Sequence, residues 1–440
     1  MALPQNFIEN TLLLARELIQ FDSVSSSSNE PVSQWVADRL AAAGFEIEWL
    51  KYLDPQGVAK VNVVARREPK KQADLIKPEP MAIAPGLDTT TVGPIESKSS
   101  VYGAGKKAFQ SGQGGVCYLA HTDVVPADDW SVNFCGPFEA VVRDDRLWGR
   151  GSCDMKGSLA CAIAAVTAIP VEEQTAPIYF VVTADEEVGM EGAKYVDRSS
   201  AYFQEMVDRK VVGIVGEPTE LKVVYAHKGG ASMRIVARGK SAHSSTRDGI
   251  NANHQLIPIL PFLLELRNEC ESNVSLHNYD FDPPTLSWNM VLRNEPFATN
   301  VTPSLAEVAI FLRCMPNVDH RQLMKRVELE ATKMGLEFSQ REGLPFRAEP
   351  DAQHIREMLS MTENEYPITV CYATDAGVLQ RLSQLVICGP GSIEQAHRSD
   401  EYISLEQLRR GTVLYEKVFR RWAASSGNID ATLSTERGVT

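Results

Sequence analysis

The stretch Val116–Gly157 decides the fold: it opens VCYLAHTDVVPADDW (116–130) and closes LWGRGSCDMKG (147–157). Val116–Ala120 is a continuous apolar run, as expected of a strand buried on both faces, and it stops on His121-Thr122-Asp123. A second short strand, Arg146–Trp148, feeds a glycine-rich turn and then Asp154, with Lys156-Gly157 just behind it. The small, apolar stretch Ser158–Ala168 reads as a helix packed under the sheet. An imidazole and a carboxylate therefore stand at strand ends, where open α/β sheets place their sites. The pair suits zinc or a similar first-row metal. Asp123, two residues past His121, is placed to support the imidazole from behind. A capped or salt-bridged loop would show the same two residues, so the rest of the chain has to decide.

Upstream, residues 6–66 read helix, helix, strand, strand. NEPVSQWVADRLAAAG (29–44) has helical apolar spacing, an early Pro31 and a closing Gly44; Glu46–Leu50 and Val61–Ala65 are the strands. Residues 68–115 are rich in Pro, Gly, Ser and Lys and read as a long surface insertion, partly disordered. Downstream, the buried strand Pro177–Val182 ends on TADEE (183–187), and Val211–Val215 ends on GEPT (216–219). Strands alternating with helices predict an α/β fold with a mainly parallel sheet covered on both faces, three layers in all.

The pattern changes near Ala226. Strand Gly230–Arg238, helix Asn251–Cys270, strands Thr285–Arg293 and Leu305–Arg313, helix His320–Met334 and strand Gly335–Gly343 make the ferredoxin-like order βαββαβ. This α+β domain (226–345) is inserted in a catalytic domain of two segments (1–225 and 346–424), because sheet-like strands return at Ile368–Cys371 and Leu385–Cys388. A helix at Ser404–Ala423 and a loose polar tail (425–440) finish the chain.

A length of 440 residues allows two domains. The net charge of −13 argues against a nucleic-acid or anionic-membrane partner. No stretch approaches the roughly 18 apolar residues of a membrane span. The N-terminus has the spacing of an amphipathic helix rather than a leader, and eight scattered cysteines without a CxxC pair suit a reducing compartment. A cytoplasmic protein is expected. No GxGxxG follows the first strand, which disfavours a nucleotide-binding enzyme.

His121, Asp154, Glu186-Glu187, Glu217 and His397, the last behind Val386–Cys388 and GPGSIEQ, all follow apolar strands of one expected sheet. A parallel sheet gathers such ends on one edge, and independent placement of so many metal-type ligands there is improbable. Neighbouring glutamates in a short loop diverge. One can ligate a metal while the other faces a bound water, whose pKa falls toward about 7. A carboxylate beside that water can take its proton and later deliver it to a leaving nitrogen.

The segments AHTDVVP, GRGSCDMKG, TADEEVGMEGA, GEPT, GKSAHSS and AHRSDEY are similar to those of the di-zinc aminoacylases. That family includes acetylornithine deacetylases, succinyl-diaminopimelate desuccinylases and glutamate carboxypeptidases. The resemblance spans nearly the whole chain apart from the insertion and the tail. GEPTELKVVYAHKG, GKSAHSSTRDGINA and CGPGSIEQAHRSDEY resemble the acetylornithine deacetylase branch most. The resemblance implies two divalent ions, zinc or else cobalt. His121 and Glu217 would hold one, Glu187 and His397 the other, and Asp154 would bridge them. Asp123 would orient His121, and Glu186 would be general base and then acid. A cis peptide at Asp154–Met155 is implied as well.

By the same resemblance the inserted domain is a lid through which the chain forms a homodimer. His243 in GKSAHSS would stabilise the tetrahedral oxyanion, from the neighbouring subunit in dimeric members. Asn300 (in ATNVTP) and Arg313 (in IFLRCMP) would bind a substrate carboxylate, for which an arginine fork is suited. The implied substrate is an N-acyl amino acid, with N2-acetyl-L-ornithine first. A desuccinylase or a dipeptidase-like carboxypeptidase is the alternative, and a non-catalytic dimeric scaffold is disfavoured because every ligand and Glu186 are retained. YATDAG (372–377) departs from the Thr-Glu-Ala often found in the deacetylase branch; Asp375 is expected to contact the ornithine amine. His227 and Lys228 read as hinge residues, and His254, His277, His320 and His354 as structural or exposed.

Overall fold

The computed structural model describes residues 5–70 and 114–424. Most of the 68–115 stretch and the whole 425–440 tail lie outside the described residues. Helices α1 (Gln5–Ile19) and α2 (Glu30–Ala42) precede the antiparallel pair β1 (Glu46–Leu53) and β2 (Ala59–Arg67). Strand β3 (Val116–His121) is buried throughout, as its unbroken apolar run requires. A short hairpin, β4 (Val141–Arg143) and β5 (Arg146–Trp148), leads to α3 (Lys156–Thr167), which is buried from Lys156 to Val166 and built mostly of small side chains. Strand β6 (Ile178–Thr183), helices α4 (Glu191–Ser199) and α5 (Ala201–Arg209), and strands β7 (Val212–Pro218) and β8 (Val224–His227) follow.

Next come β9 (Gly230–Arg238), α6 (Ala252–Leu256), α7 (Leu260–Ser272), β10 (Asn289–Glu295), β11 (Leu305–Leu312), α8 (Arg321–Lys333) and β12 (Glu337–Gly343). The single helix expected over 251–270 is broken by a 3-10 turn at Ile257–Ile259, where Pro258 and Pro261 remove two backbone donors. These strands form their own antiparallel sheet, in the order β10-β11-β9-β12, the ferredoxin-like arrangement. The chain then returns through β13 (Phe346–Arg347), α9 (Gln353–Met361), β14 (Ile368–Val370), β15 (Gln384–Gly389), β16 (Tyr402–Ser404) and α10 (Leu405–Ala423). Ser404 caps α10 by accepting the Gln407 amide at 3.1 Å, and Leu408, Tyr415, Phe419 and Trp422 turn into the core.

The large sheet runs β1-β2-β6-β3-β7-β15-β8-β13, with β14 also on β8. Its centre, β6-β3-β7-β15, is parallel, and antiparallel strands flank it. The connection from β3 to β6 moves one way along the sheet and that from β6 to β7 moves the other. Right-handed crossovers therefore place α3 and the α4-α5 pair on opposite faces, which makes three layers. Because the central strands are parallel, His121, the loop after β6, Glu217 and the loop after β15 meet on one edge. Asp154 reaches that edge differently from the expectation. It follows β5, which belongs to a separate three-stranded sheet, β16-β5-β4. The alternating burial of β5 is that of a hairpin strand with one face covered, not of a core strand.

Candidate metal-dependent active site

His121 is the last residue of β3 and is almost wholly buried. Its Nδ1–H donates to the main-chain carbonyl of Asp123 at 2.9 Å, which turns Nε2 toward Asp154 Oδ1 at 3.0 Å and Glu217 Oε1 at 3.9 Å. The other Asp154 oxygen lies 3.5 Å from His397 Nε2, and His397 Nε2 lies 3.0 Å from Glu187 Oε2. Asp154 thus stands between the two histidines. The peptide after it is cis. Ligand atoms of His121, Asp154 and Glu187 fall within 4.8 Å of one another. All five residues expected to bind metal are therefore brought together, and His397 reaches the group from a left-handed backbone position, φ 64°.

The electrostatics are those of a cation site. Burial opposes charge on His121, yet Asp154 and Glu217 hold its pKa well above normal. His397 is pushed up to about 10 by its contacts to Asp154 and Glu187. Burial and then neighbouring carboxylates push Glu187 and Glu217 up, while the two histidines overcome burial and hold Asp154 low. Confining these like charges costs several kcal/mol per unpaired ion. Cations would relieve that cost, and the oxygen-and-imidazole donor set fits zinc or cobalt.

Glu186 sits beside this group without belonging to it. Burial, then the charges of Glu217 and Asp375, push its carboxyl well above normal against the pull of His121. The carboxylate of Asp123 holds the loop in place: it accepts the amides of Glu186 (3.2 Å) and Glu187 (3.3 Å) and the Ser25 hydroxyl (2.7 Å). Asp123 therefore supports His121 through its carbonyl and the glutamate pair through its carboxylate. Asp185, at φ 56°, turns the loop and is tied to Lys60 (2.8 Å) and the Tyr52 hydroxyl (2.7 Å).

Two supporting residues were missed. Glu401 is buried and accepts four hydrogen bonds: from the amides of Gly151 (3.0 Å), Cys153 (2.9 Å) and Asp154 (3.1 Å) and from Arg150 Nη1 (2.8 Å). Arg150 also donates to the carbonyls of Arg398 (3.0 Å) and Pro126 (3.1 Å). The pair ties the Asp154 turn to the His397 loop. Both residues lie in the segments GRGSCDMKG and AHRSDEY, but their type alone does not separate them from surface charges.

The remaining expected site residues lie outside the cluster. Asp375 is buried at the N-terminal side of a 3-10 turn, its Oδ2 accepting from the Thr183 hydroxyl at 2.6 Å, and burial pushes its pKa up to about 6. His243 and Asn300 stand together on the inserted unit. His243 bridges to Val301, and the Asn300 carbonyl accepts the Ser244 amide at 3.0 Å. The His243 ring is exposed and pairs with the Ser245 hydroxyl at 2.7 Å. Arg313 follows β11, stacks on Phe311 and has no carboxylate partner among the described residues. His227 is buried at the end of β8, with Nδ1–H given to the Lys228 carbonyl at 2.8 Å. The eight cysteines are all free.

The model of the peptidase family M20/M25/M40 matches residues 117–421. The chain belongs to this family. It is accordingly a hydrolase with a candidate metal site. Among its relatives, the acetylornithine deacetylase of Myxococcus xanthus is 30% identical over 411 residues, covering 90% of this chain and 92% of the relative. That of Edwardsiella ictaluri (strain 93-146) is 33% identical over 312 residues, covering 68% and 78%. In fold, this M20 chain is similar to an M20 family metallo-carboxypeptidase from Sulfolobus solfataricus, with TM-score 0.65, 15% identity, and 94% and 98% of the two chains covered. No helix among the described residues is long and apolar enough to cross a membrane.

Proposed function

We propose that this M20 hydrolase removes the acetyl group of N2-acetyl-L-ornithine, releasing L-ornithine and acetate for arginine biosynthesis in the cytoplasm. What carries the substrate is the 30–33% identity to relatives named acetylornithine deacetylase. Two divalent ions, zinc or else cobalt, would be held by His121 with Glu217 and by Glu187 with His397, Asp154 touching both. Bound there, they polarise the amide carbonyl and acidify a water. Glu186 has no ion-pair partner among the described residues and takes the proton from the attacking water. It then hands that proton to the leaving nitrogen. Arg313 and Asn300 hold the α-carboxylate.

Residues 226–345 act as a lid over the segments 1–225 and 346–424, and the chain works as a homodimer in which His243 of a second subunit faces the oxyanion. The outer strand β10 supports that pairing: it is an open sheet edge bearing the exposed side chains of Val291 and Leu292, with Phe297 95% exposed just beyond it.

The test is kcat/KM of metal-reconstituted enzyme for N2-acetyl-L-ornithine, N-acetyl-L-methionine and N-succinyl-diaminopimelate. The ornithine substrate should lead the succinyl one by about two orders of magnitude or more, because a distal carboxylate buried without a partner costs several kcal/mol. Preference for the succinyl substrate overturns the acetylornithine assignment and leaves the metal chemistry standing.

A further inference from the structure

The loop after β6 carries Glu186 and Glu187, and four of its consecutive residues are gripped by side chains of other segments. Asn62 Oδ1 accepts the Ala184 amide at 3.0 Å. Lys60 Nζ stands 2.8 Å from Asp185 Oδ1, and the Tyr52 hydroxyl donates to Asp185 Oδ2 at 2.7 Å. Asp123 accepts the amides of Glu186 and Glu187 at 3.2 and 3.3 Å. Lys60 and Asn62 are alternate residues of β2 and so face the same way. Tyr52 is the register partner of Lys60 on β1. One face of the β1-β2 pair therefore holds the first half of the loop. The fit is close: a Cβ on Gly192, in α4, would strike both the Ala184 carbonyl and Asn62 Oδ1.

Lys60 reaches further than Asp185. Its Nζ also donates to the carbonyls of Ser25 (2.5 Å) and Ser27 (2.9 Å), and Ser25 Oγ donates to Asp123 Oδ2 at 2.7 Å. These contacts close a ring. It runs from Lys60 to Asp185, along the backbone to the Glu186 and Glu187 amides, across to Asp123, and through Ser25 back to Lys60. The Ser25 segment is pinned in turn: its amide donates to the Val124 carbonyl at 3.1 Å, and the Val124 amide donates to the Ser23 carbonyl at 3.0 Å. Lys60 and Asp185 are both buried, as such residues rarely are unless paired. Burial, then the hydrogen bond to Asp185, raises the Tyr52 pKa, so its hydroxyl stays a donor.

What the ring fixes is direction. Asp185 has φ 56°, a left-handed conformation that residues other than glycine keep only where their surroundings over-determine it. That turn sets how the next two side chains leave the loop. Glu187 is also anchored at its carboxylate, 3.0 Å from His397. Glu186 has no ion-pair partner among the described residues, so its aim has to come from the backbone behind it. We propose that Lys60 is a positioning residue for Glu186: by pairing with Asp185 and tying it to Ser25, it holds the turn that aims the general base. The proposal rests on the role given to Glu186 above and adds what places that residue.

Lys60→Met alone strands Asp185 as a buried unpaired charge and so mixes stability with catalysis. The experiment therefore uses Lys60→Met/Asp185→Asn, which removes both charges together, and Asp185→Asn, which leaves Lys60 its two carbonyl partners. Asparagine accepts the left-handed turn as aspartate does. Thermal unfolding establishes that each variant folds; if the double variant does not, Asp185→Asn decides by the same readouts. In the metal-saturated full chain acting on N2-acetyl-L-ornithine, kcat should fall about 10- to 100-fold, the scale of a catalytic group misplaced by about 1 Å. KM should move less than about twofold, because the lost contact serves the transition state alone. In a Glu186→Gln background the same changes should cost less than about twofold more, since the group they place is gone. Without metal or substrate, amide hydrogen exchange over 184–187 should quicken by about tenfold. Wild-type kcat in a folded variant, full multiplication of the two losses, or unchanged exchange overturns the proposal. Wild-type turnover in Glu186→Gln sinks the base assignment and the positioning role with it. A slow Glu186→Gln beside a double variant of wild-type kcat sinks the positioning role alone.

Discussion

Glu186 and Glu187 are neighbours with the same chemistry and different surroundings. Glu187 contacts His397 at 3.0 Å, whereas Glu186 has no such partner among the described residues. Changing Glu186 to Gln should leave metal content nearly intact, measured by elemental analysis after dialysis, and lower turnover by about 10²-fold or more. Loss of metal in that variant would mean that the two roles are exchanged. His227 gives a second single-residue prediction. Burial, helped by the Arg313 charge, lowers its pKa to about 4 against its backbone hydrogen bonds. Between that value and the unfolded value near 6.5, the unfolded chain binds a proton that the folded chain does not. Its neutral form therefore favours folding fully above about pH 6.5, and that stability is lost as pH falls toward 4, by up to about 3 kcal/mol. Urea unfolding of metal-free protein from pH 7.5 to 4.5 should show a shallower acid loss for His227→Gln than for the wild type. The titrating carboxylate cluster is a background common to both proteins, so equal slopes would remove His227 as the cause.

At the level of elements, the turn after β5 and the loop after β15 are two irregular segments that have to meet within ångströms. Glu401 and Arg150 accomplish this from below. Burial, with the Asp154 charge, pushes the Glu401 carboxyl up to about 7 against its own hydrogen bonds and Arg150. In Glu401→Gln, one carboxylate oxygen becomes an NH₂ that confronts donors. Folding should lose about 3 kcal/mol, the scale of a broken buried pair, and metal affinity should fall about 10- to 100-fold although every ligand remains. Titration against a chelator checks this; unchanged affinity would reduce the clamp to a purely structural role. The same elements show what the sequence could reveal. Strands β3, β6, β7, β9 and β15 were legible because burial on two faces, or a strict alternation, writes itself into five or more residues. Strands β4, β8, β13 and β16 were not, since two to four residues carry no period, and their pairing is settled by partners far away in sequence. The metal-type ligands were legible because His, Asp and Glu stood at the ends of the readable strands or in recognisable motifs. Glu401 was not, because nothing local distinguishes a buried charge from a solvated one.

For the molecule as a whole, the position of His243 is the open mechanical question. Within its own chain the ring is exposed and occupied with Ser245, on the inserted unit beside Asn300 and away from the five clustered ligand residues. A residue so placed reaches an active site either by movement of its own inserted unit or from a second copy. The open, apolar edge of β10 favours the second copy, because edge strands left bare are otherwise a liability for aggregation. The two routes differ in a mixing experiment. His243→Ala and Glu186→Ala should each be nearly inactive alone. If His243 acts across a two-fold dimer, a heterodimer of the two variants contains one site with both residues intact and one with both missing. After complete subunit exchange half of the dimers are of this kind, so activity should recover to about a quarter of the wild-type level. Exchange is verified separately with differently tagged variants. Complete exchange without recovery places His243 in its own subunit's site or removes it from the reaction, and the apolar edge of β10 would then serve assembly alone.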